Sequence, residues 1–318
     1  MRIRNITKIS TVHNGQAWYI YVHNMKILGT GLSGLVGSRV TELLAPDFTF
    51  ENLSLETGVD ITDKASVDGF FAKSDAPWVF HMAAYTDVQG AEKERALGES
   101  GIAWRVNVLA TEHIAENCKK LGKKLLYIDT DYAFDGKKQN YVYTEDDTPN
   151  PLGWYAKTKS EGAKRALALG DTGLVIRISN PYRANPVGKK DFVHKMLERA
   201  LAGQTISGAT DQLFVPTFID DIAAALRALI RTDAHGIYHV VSGPALSPYE
   251  AGTTLAQVFG FDKKLVQATT FTAMFADRAP TPQYAALSNA KIQALGVRMH
   301  SFAQGVTEVK RIESGVIE

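Results

Sequence analysis

Tyr155 and Lys159 stand four residues apart in Trp154-Tyr155-Ala156-Lys157-Thr158-Lys159, a spacing that puts both side chains on one face of a helix. A phenol and an ammonium so placed can work as a proton-transfer pair, because a phenol of ordinary pKa near 10 is a weak acid at neutral pH and a nearby positive charge favours its anion. Well upstream, the apolar run Met25-Lys26-Ile27-Leu28 leads into Gly31-Leu32-Ser33-Gly34-Leu35-Val36-Gly37 and then the amphipathic 38–44. Gly31 can take the positive φ of a sharp turn, Gly34 lets backbone approach a pyrophosphate, and Gly37 lets the new helix pack closely on its strand. The phosphates would sit at the helix N-terminus. The alternative is a glycine-rich turn without a ligand.

Such groups need elements that deliver them to one place. From Met25 onward, strand-like runs at 26–28, 52–55, 78–82, 125–128 and 174–178 alternate with helical runs at 38–44, 66–71, 107–121 and about 155–169. This alternation predicts an α/β fold, a Rossmann-type doubly wound parallel sheet covered on both faces. Ligands in such a sheet sit beyond the carboxyl ends of the strands, which singles out His81-Met82-Ala83-Ala84-Tyr85-Thr86-Asp87 and the run 129–136. Beyond Ile178 the alternation loosens and Pro and Gly become frequent. We expect residues 25–178 to form the dinucleotide-binding domain, with return elements at about 214–241, and residues 179–213 and 242–318 to form a smaller substrate-binding lobe. Residues 1–24 hold Arg2, Arg4 and Lys8, no acidic residue, and the aromatic run Trp18-Tyr19-Ile20-Tyr21; they read as an N-terminal extension.

The 318 residues are 45% apolar and 22% charged, with a formal net charge of +1. These values suit a globular protein and leave no electrostatic footprint for a nucleic acid. No apolar run is long enough to span a membrane. Cys118 is the only cysteine, so no intrachain disulfide forms, a reducing cytoplasmic compartment fits, and an inert thiol is expected. The histidines lack ligand spacing and no metal is expected.

Taken together the motifs resemble the extended short-chain dehydrogenase/reductases, most closely the dTDP-4-dehydrorhamnose reductase group. The resemblance runs from Met25 to about Gly305 and rests on Gly31-x-x-Gly34-x-x-Gly37, Asp60-Ile61-Thr62-Asp63, Ala83-Ala84-Tyr85-Thr86-Asp87-Val88, Thr130-Asp131-Tyr132-Ala133-Phe134-Asp135-Gly136, Tyr155-x-x-x-Lys159, Asp211-Gln212 with Pro216-Thr217, and Gly236-Ile237-Tyr238-His239. It implies reduction of the 4-keto group of a nucleotide-activated deoxysugar by NAD(P)H. Tyr155 would donate a proton to the keto oxygen, and Lys159 would hold the nicotinamide ribose and lower the phenol's pKa. Thr130 would orient the carbonyl, and Asn107 would support the lysine through water. Thr130 as a turn cap and Asn107 as a surface polar residue are the plainer alternatives. Gly31, Leu32, Ser33, Gly34, Leu35, Val36 and Gly37 would ring the pyrophosphate, Asp60 and Ile61 meet the adenine, and Ala83, Ala84 and Tyr85 pass beside the ribose and nicotinamide. Glu56, at the expected end of the second strand, would accept from a 2′-hydroxyl and repel a 2′-phosphate, which favours NADH with NADPH as the alternative cofactor; an ordinary solvated Glu56 is the other reading. The nucleotide sugar would meet Thr86, Asp87, Asp131, Tyr132, Phe134, Asn180, Gln212 and Arg278. A homodimer is the expected assembly.

Two departures fall on the substrate side. Asp129 replaces the Ser that usually precedes the Thr, and Asn180 stands where the group carries a Trp, so a stacking ring for the sugar is missing. Asp129 would oppose phenol ionisation if buried close to Tyr155. A nucleotide-sugar epimerase or dehydratase that retains its NAD shares the triad, although Tyr132 stands where dehydratases carry Glu. A non-catalytic module similar to the regulatory subunit of methionine adenosyltransferase is the third reading.

Overall fold

The structure is a computed structural model that describes residues 8–13, 16–21 and 25–315. Lys8–His13 (β1) and Gln16–Tyr21 (β2) pair antiparallel, Lys8 opposite Tyr21, in a sheet of their own. The rest of the expected extension lies outside the described residues. Met25–Thr30 (β3) leads into α1 (Leu35–Leu44), then β4 (Phe48–Asn52), α2 (Lys64–Phe71), β5 (Trp78–His81) and α3 (Val88–Lys93). A helical stretch follows in three parts: α4 (Ile102–Trp104), a π-helical turn (Arg105–Leu109) and α5 (Ala110–Leu121). Then come β6 (Lys124–Thr130), α6 (Trp154–Leu167), β7 (Gly173–Ile178), α7 (Phe192–Leu201), β8 (Ile206–Ala209), α8 (Ile219–Arg231) and β9 (Gly236–His239). The chain ends with α9 (Pro248–Phe259), β10 (Val266–Thr269), α10 (Phe271–Phe275), α11 (Ala290–Gln293) and α12 (Phe302–Glu313). Among the described residues no helix is long and apolar enough to cross a membrane.

Six strands form one parallel sheet in the order β4-β3-β5-β6-β7-β9. Strands buried on both faces read as continuous apolar runs, and neighbouring residues serve opposite faces. Ile27, Leu126 and Ile176 join Val40 and Leu44 of α1 and Ile222, Leu226 and Leu229 of α8 on one side. Leu28, Leu125 and Val175 join Phe71 of α2, Ile114 and Cys118 of α5 and Ala166 of α6 on the other. Burial there pushes the Cys118 thiol up to about 12, which makes it the inert thiol expected. The chain winds outward in both directions from β3, and the crevice between β3 and β5 is the switch point where such sheets bind ligands.

β8 and β10 pair parallel in a second, two-stranded sheet, beside an aromatic cluster of Tyr182, Phe214, Phe218 and Phe302. Ser247 and Glu250 form a capping box at the start of α9, each side chain satisfying the other residue's backbone N–H.

The second strand departs from its expected place at 52–55. Phe48, buried, starts it, and Asn52 ends it. Ser54 then caps a 3₁₀ turn, Leu55–Thr57, whose last residue answers with its own side chain. Glu56 is therefore an exposed residue of that turn and not the last residue of a strand.

Candidate active site

Gly31 ends the first leg of the crevice with φ +67°, and a side chain there would run into the Ala83 backbone of the neighbouring strand end. A Cβ on Gly37 would strike the Gly31 carbonyl. Two glycines thus bring the start of α1 against the end of β3 and the segment after β5. Gly34 is the N-cap of α1; no side chain caps that end and its first turn holds no acidic residue, so its N–H groups are free for an anion. Leu32 is buried, whereas Leu35 and Val36 are half-buried on the core, and the exposed Ser33 lies on the turn between them. Asn52, at the end of β4, keeps a buried Oδ1 without a partner. Sequence reasoning passed over it because the strand was placed three residues too late. Asp60 is turned inward on its own loop, accepting from Thr62 N and Oγ1 at 2.8 Å each, and these bonds hold its carboxyl below its ordinary pKa. Ile61 is half-buried and packs on the core under α2.

A hydrogen-bonded chain runs beneath this crevice. The Ala83 amide donates to Thr30 Oγ1 (3.1 Å), which meets His81 Nδ1 (2.7 Å); His81 Nε2 meets Thr111 Oγ1 (3.0 Å), which donates to the Asn107 carbonyl (2.8 Å). With His81 neutral and its proton on Nε2 every donor has one acceptor. Burial, helped by the charge of Lys159, holds its pKa down at about 3. The carbonyl at the end of this chain belongs to the π-helical turn, a local irregularity common at functional sites. The Asn107 side chain accepts from Tyr85 N (2.8 Å) and donates to Tyr85 O and Thr158 Oγ1 (3.2 and 2.9 Å). It clamps the Ala84-Tyr85 strand extension and helix α6; its amide contacts Thr158, one residue before Lys159, and not the ammonium itself. The surface-residue alternative fails, since Asn107 is buried.

Thr130 is the last residue of β6, next to β5 in the sheet, and Tyr155 and Lys159 lie on the first turns of α6, with Tyr155 facing the Thr130 hydroxyl. Lys159 is buried with its Nζ 4.1 Å from the centre of the Tyr127 ring, and burial draws its pKa down to about 8 against an opposing pull from Asp129. Tyr155 is half-buried and packs edge-on against Tyr132, ring centres 6.0 Å apart. Burial, then the charges of Asp131 and Asp129, push its phenol well above 10, and the facing Thr130 hydroxyl pulls the other way. The expected lowering by Lys159 is thus outweighed: carboxyls, not the ammonium, are the dominant charges at this phenol. Thr130 is also a cap, accepting from Tyr132 N at 3.3 Å, so the turn-cap reading holds.

Asp129 resolves into a charge row across three strands. It sits opposite Arg177, which sits opposite His239; Arg177 Nε donates to Asp129 Oδ2 at 3.2 Å and Nη1 lies 3.3 Å from His239 Nε2. All three are buried.

On the substrate side the residues divide. Tyr132 borders Tyr155 and feels Arg278 and a Thr281 hydrogen bond. Gln212 is buried with a free Oε1, while its Nε2 reaches Pro282 O at 3.5 Å. Thr86 and Arg278 are exposed, and the segments that carry them are joined by Gln89 Oε1 accepting from Ala279 N. Asn180 has φ +40° and donates to Ser179 Oγ. Phe134 is not available to a substrate: it is buried, stacked on Tyr143 at 4.3 Å and under the Arg177 guanidinium, because the 3₁₀ turn after Thr130 turns its ring into the core. Asp87 is spent as the N-cap of α3, accepting from Gly90 N at 3.0 Å. Asp131 is buried behind Thr130 and faces Ser179, not the open site.

The model of the RmlD substrate binding domain matches residues 25–313. A dTDP-4-dehydrorhamnose reductase of Mycobacterium tuberculosis (strain CDC 1551 / Oshkosh) is 30% identical over 268 residues, 83% of this chain and 85% of that protein. One from Aggregatibacter actinomycetemcomitans is 30% identical over 298 residues, 90% and 98% of the two chains. The crystal structure of dTDP-4-dehydrorhamnose reductase from Bacillus anthracis str. Ames in complex with NADP superposes with a TM-score of 0.81 at 26% identity, covering 92% of this chain and 100% of that one. With the glycine crevice and the Thr130, Tyr155 and Lys159 cluster described above, these matches establish that the chain belongs to the dTDP-4-dehydrorhamnose reductase family.

Proposed function

We propose that the protein reduces the 4-keto group of a nucleotide-activated deoxysugar with a nicotinamide cofactor. The observation that carries this reading is the facing of the Thr130 hydroxyl and the Tyr155 phenol on the helix that carries the buried Lys159, at the carboxyl end of β6, one strand from the β3/β5 crevice. The residues suit a dinucleotide: the uncapped start of α1, the glycine turn and the unpartnered Asn52 Oδ1 are a cradle of free donors and one free acceptor. A reduced nicotinamide supplies hydride when bound. Backbone from Gly31 to Gly37 holds the pyrophosphate, Asp60 and Ile61 border the adenine, and Ala83, Ala84 and Tyr85 line the ribose and nicotinamide. Asn52 takes the role expected of Glu56, an acceptor for a 2′-hydroxyl. Arg39 of α1 is already spent on Asp220 and Glu42, which leaves a 2′-phosphate without that cation and favours NADH.

Lys159 holds the ribose, Tyr155 delivers a proton to the keto oxygen as C4 gains hydride, and Thr130 hydrogen-bonds the same oxygen where negative charge develops. Asn180, Gln212 Oε1 and Arg278, from residues 179–213 and 242–318, bind the sugar nucleotide together with Thr86 and Tyr132 from the strand ends of the parallel sheet. With dTDP-4-keto-6-deoxy-mannose, purified protein is expected to consume one NADH per sugar reduced. Turnover of a nucleotide sugar on catalytic NAD, with no net NADH consumed, would replace this reading with the epimerase or dehydratase one.

A further inference from the structure

Asp131 is a buried acid next to the chemistry with no task in the scheme above. Its Oδ1 accepts from Thr130 Oγ1 at 3.0 Å and its Oδ2 from Ser179 Oγ at 2.6 Å; Ser179 in turn accepts from Asn180 Nδ2. Among the described residues no ammonium or guanidinium hydrogen-bonds either oxygen. The neighbouring Asp129 has Arg177 as its partner; Asp131 has only hydroxyls and the backbone N–H groups of its turn.

This arrangement decides what Thr130 can do. A hydroxyl has one proton to give, and while Asp131 is ionised Thr130 gives it to Asp131. Thr130 can then only accept, as it does from Tyr132 N. A keto oxygen is also only an acceptor, so in this state Thr130 has nothing to offer it. The ionised carboxylate is also the largest charge acting against Tyr155 as an acid.

Resting on the reductase reading, we propose that Asp131 is a positioning residue that carries a proton in the productive complex: as a carboxylic acid it donates to Thr130 Oγ1, and Thr130 turns its own proton toward the keto oxygen. One proton, taken from solvent and retained by Asp131 through the step, reverses the Thr130 hydrogen bond and removes the charge that opposes Tyr155. The proton delivered to the sugar is still the phenol's. Burial suits this state, holding the Asp131 carboxyl up at about 6 against the hydroxyl and backbone bonds that favour its anion. The titratable and charged groups around it are Tyr155 on α6, Asp129 and Tyr132 on its own segment, and Arg278 beyond Tyr132; from the segment just after β7 it meets the Ser179 hydroxyl.

Asp131→Asn tests this, because an amide can give its N–H to Thr130 at every pH while its oxygen still accepts from Ser179. The wild-type kcat/KM is expected to fall about tenfold per pH unit between pH 6 and 8, whereas that of Asp131→Asn stays level over the same range and breaks only near pH 8 with Lys159. Ser179→Ala, which removes a bond to the anion, is expected to move the wild-type limb to higher pH. In wild-type protein labelled at aspartate carboxyls, the ¹³C resonance missing from Asp131→Asn is expected to titrate near pH 6 without cofactor or substrate. Nucleotide-sugar reduction with the same limb in wild type and Asp131→Asn, or an Asp131 resonance that titrates at or below the ordinary carboxylate value near 4, overturns the proposal. If no nucleotide sugar is reduced, the reductase reading fails, and the ¹³C titration alone decides whether Asp131 holds the proton.

Discussion

Lys159 is a lysine that the fold makes unusually ready to lose its charge. Its pKa in the folded chain, about 8, lies below the 10.5 of the unfolded one, so between those values the unfolded state binds more protons. Stability therefore rises with pH across that window. Lys159→Met is expected to lose this rise, read as the difference between variant and wild type in urea unfolding at pH 8 and pH 10; an identical pH dependence in both would contradict the burial described. Tyr155 and Lys159 were legible because a four-residue spacing carries its own geometry. Thr130, Asn107 and Asp131 were legible as residues of interest, but their hydrogen-bond partners were not: Asn107 clamps Tyr85 and Thr158, from segments distant in sequence, and Asp131 meets Ser179 from the segment just after β7. Phe134 was misplaced for the same reason, since the direction of a ring after a turn depends on packing that no local pattern reveals.

Helix α6, which carries Tyr155 and Lys159, lies tight against the π-helical turn. A Cβ on Gly162 would run into the Asn107 carbonyl and the Tyr127 hydroxyl, so Gly162→Ala is expected to cost about 1–3 kcal/mol in overpacking and to lower activity by shifting Tyr155 and Lys159. Gly69, exposed in α2 with nothing within 4 Å of its Cβ position, is the control: Ala there is expected to add about 0.5–1 kcal/mol. Denaturant midpoints of the two variants check the pair, and equal effects would refute the close contact. The strands and helices that flank the site were readable from periodicity. The second strand was misread because Leu53 and Leu55 look like strand continuation, whereas Ser54 and Thr57 cap a turn there. Its shift moved attention from Asn52 to Glu56.

At the scale of the whole molecule, the parallel sheet and the segments that follow it are tied by bonds between residues distant in sequence. Arg183 donates to Ser38 Oγ at 2.8 Å, and the Gly136 carbonyl accepts from Tyr284 N. The alternation of elements made the sheet predictable; the pairing of β8 with β10 joins segments far apart in the chain and left no local trace. The proposed scheme allows a separable test, because it puts Tyr155 at the reacting oxygen and the glycine turn and Asn52 at the dinucleotide. The measurement is NADH binding and dTDP-4-keto-6-deoxy-mannose reduction by Tyr155→Phe beside the wild type. The expected result is NADH affinity unchanged within about threefold and a reduction rate lower by about 10²–10⁴-fold, the usual worth of a positioned general acid. A Tyr155→Phe protein that reduces the sugar at the wild-type rate would contradict the assignment of this site.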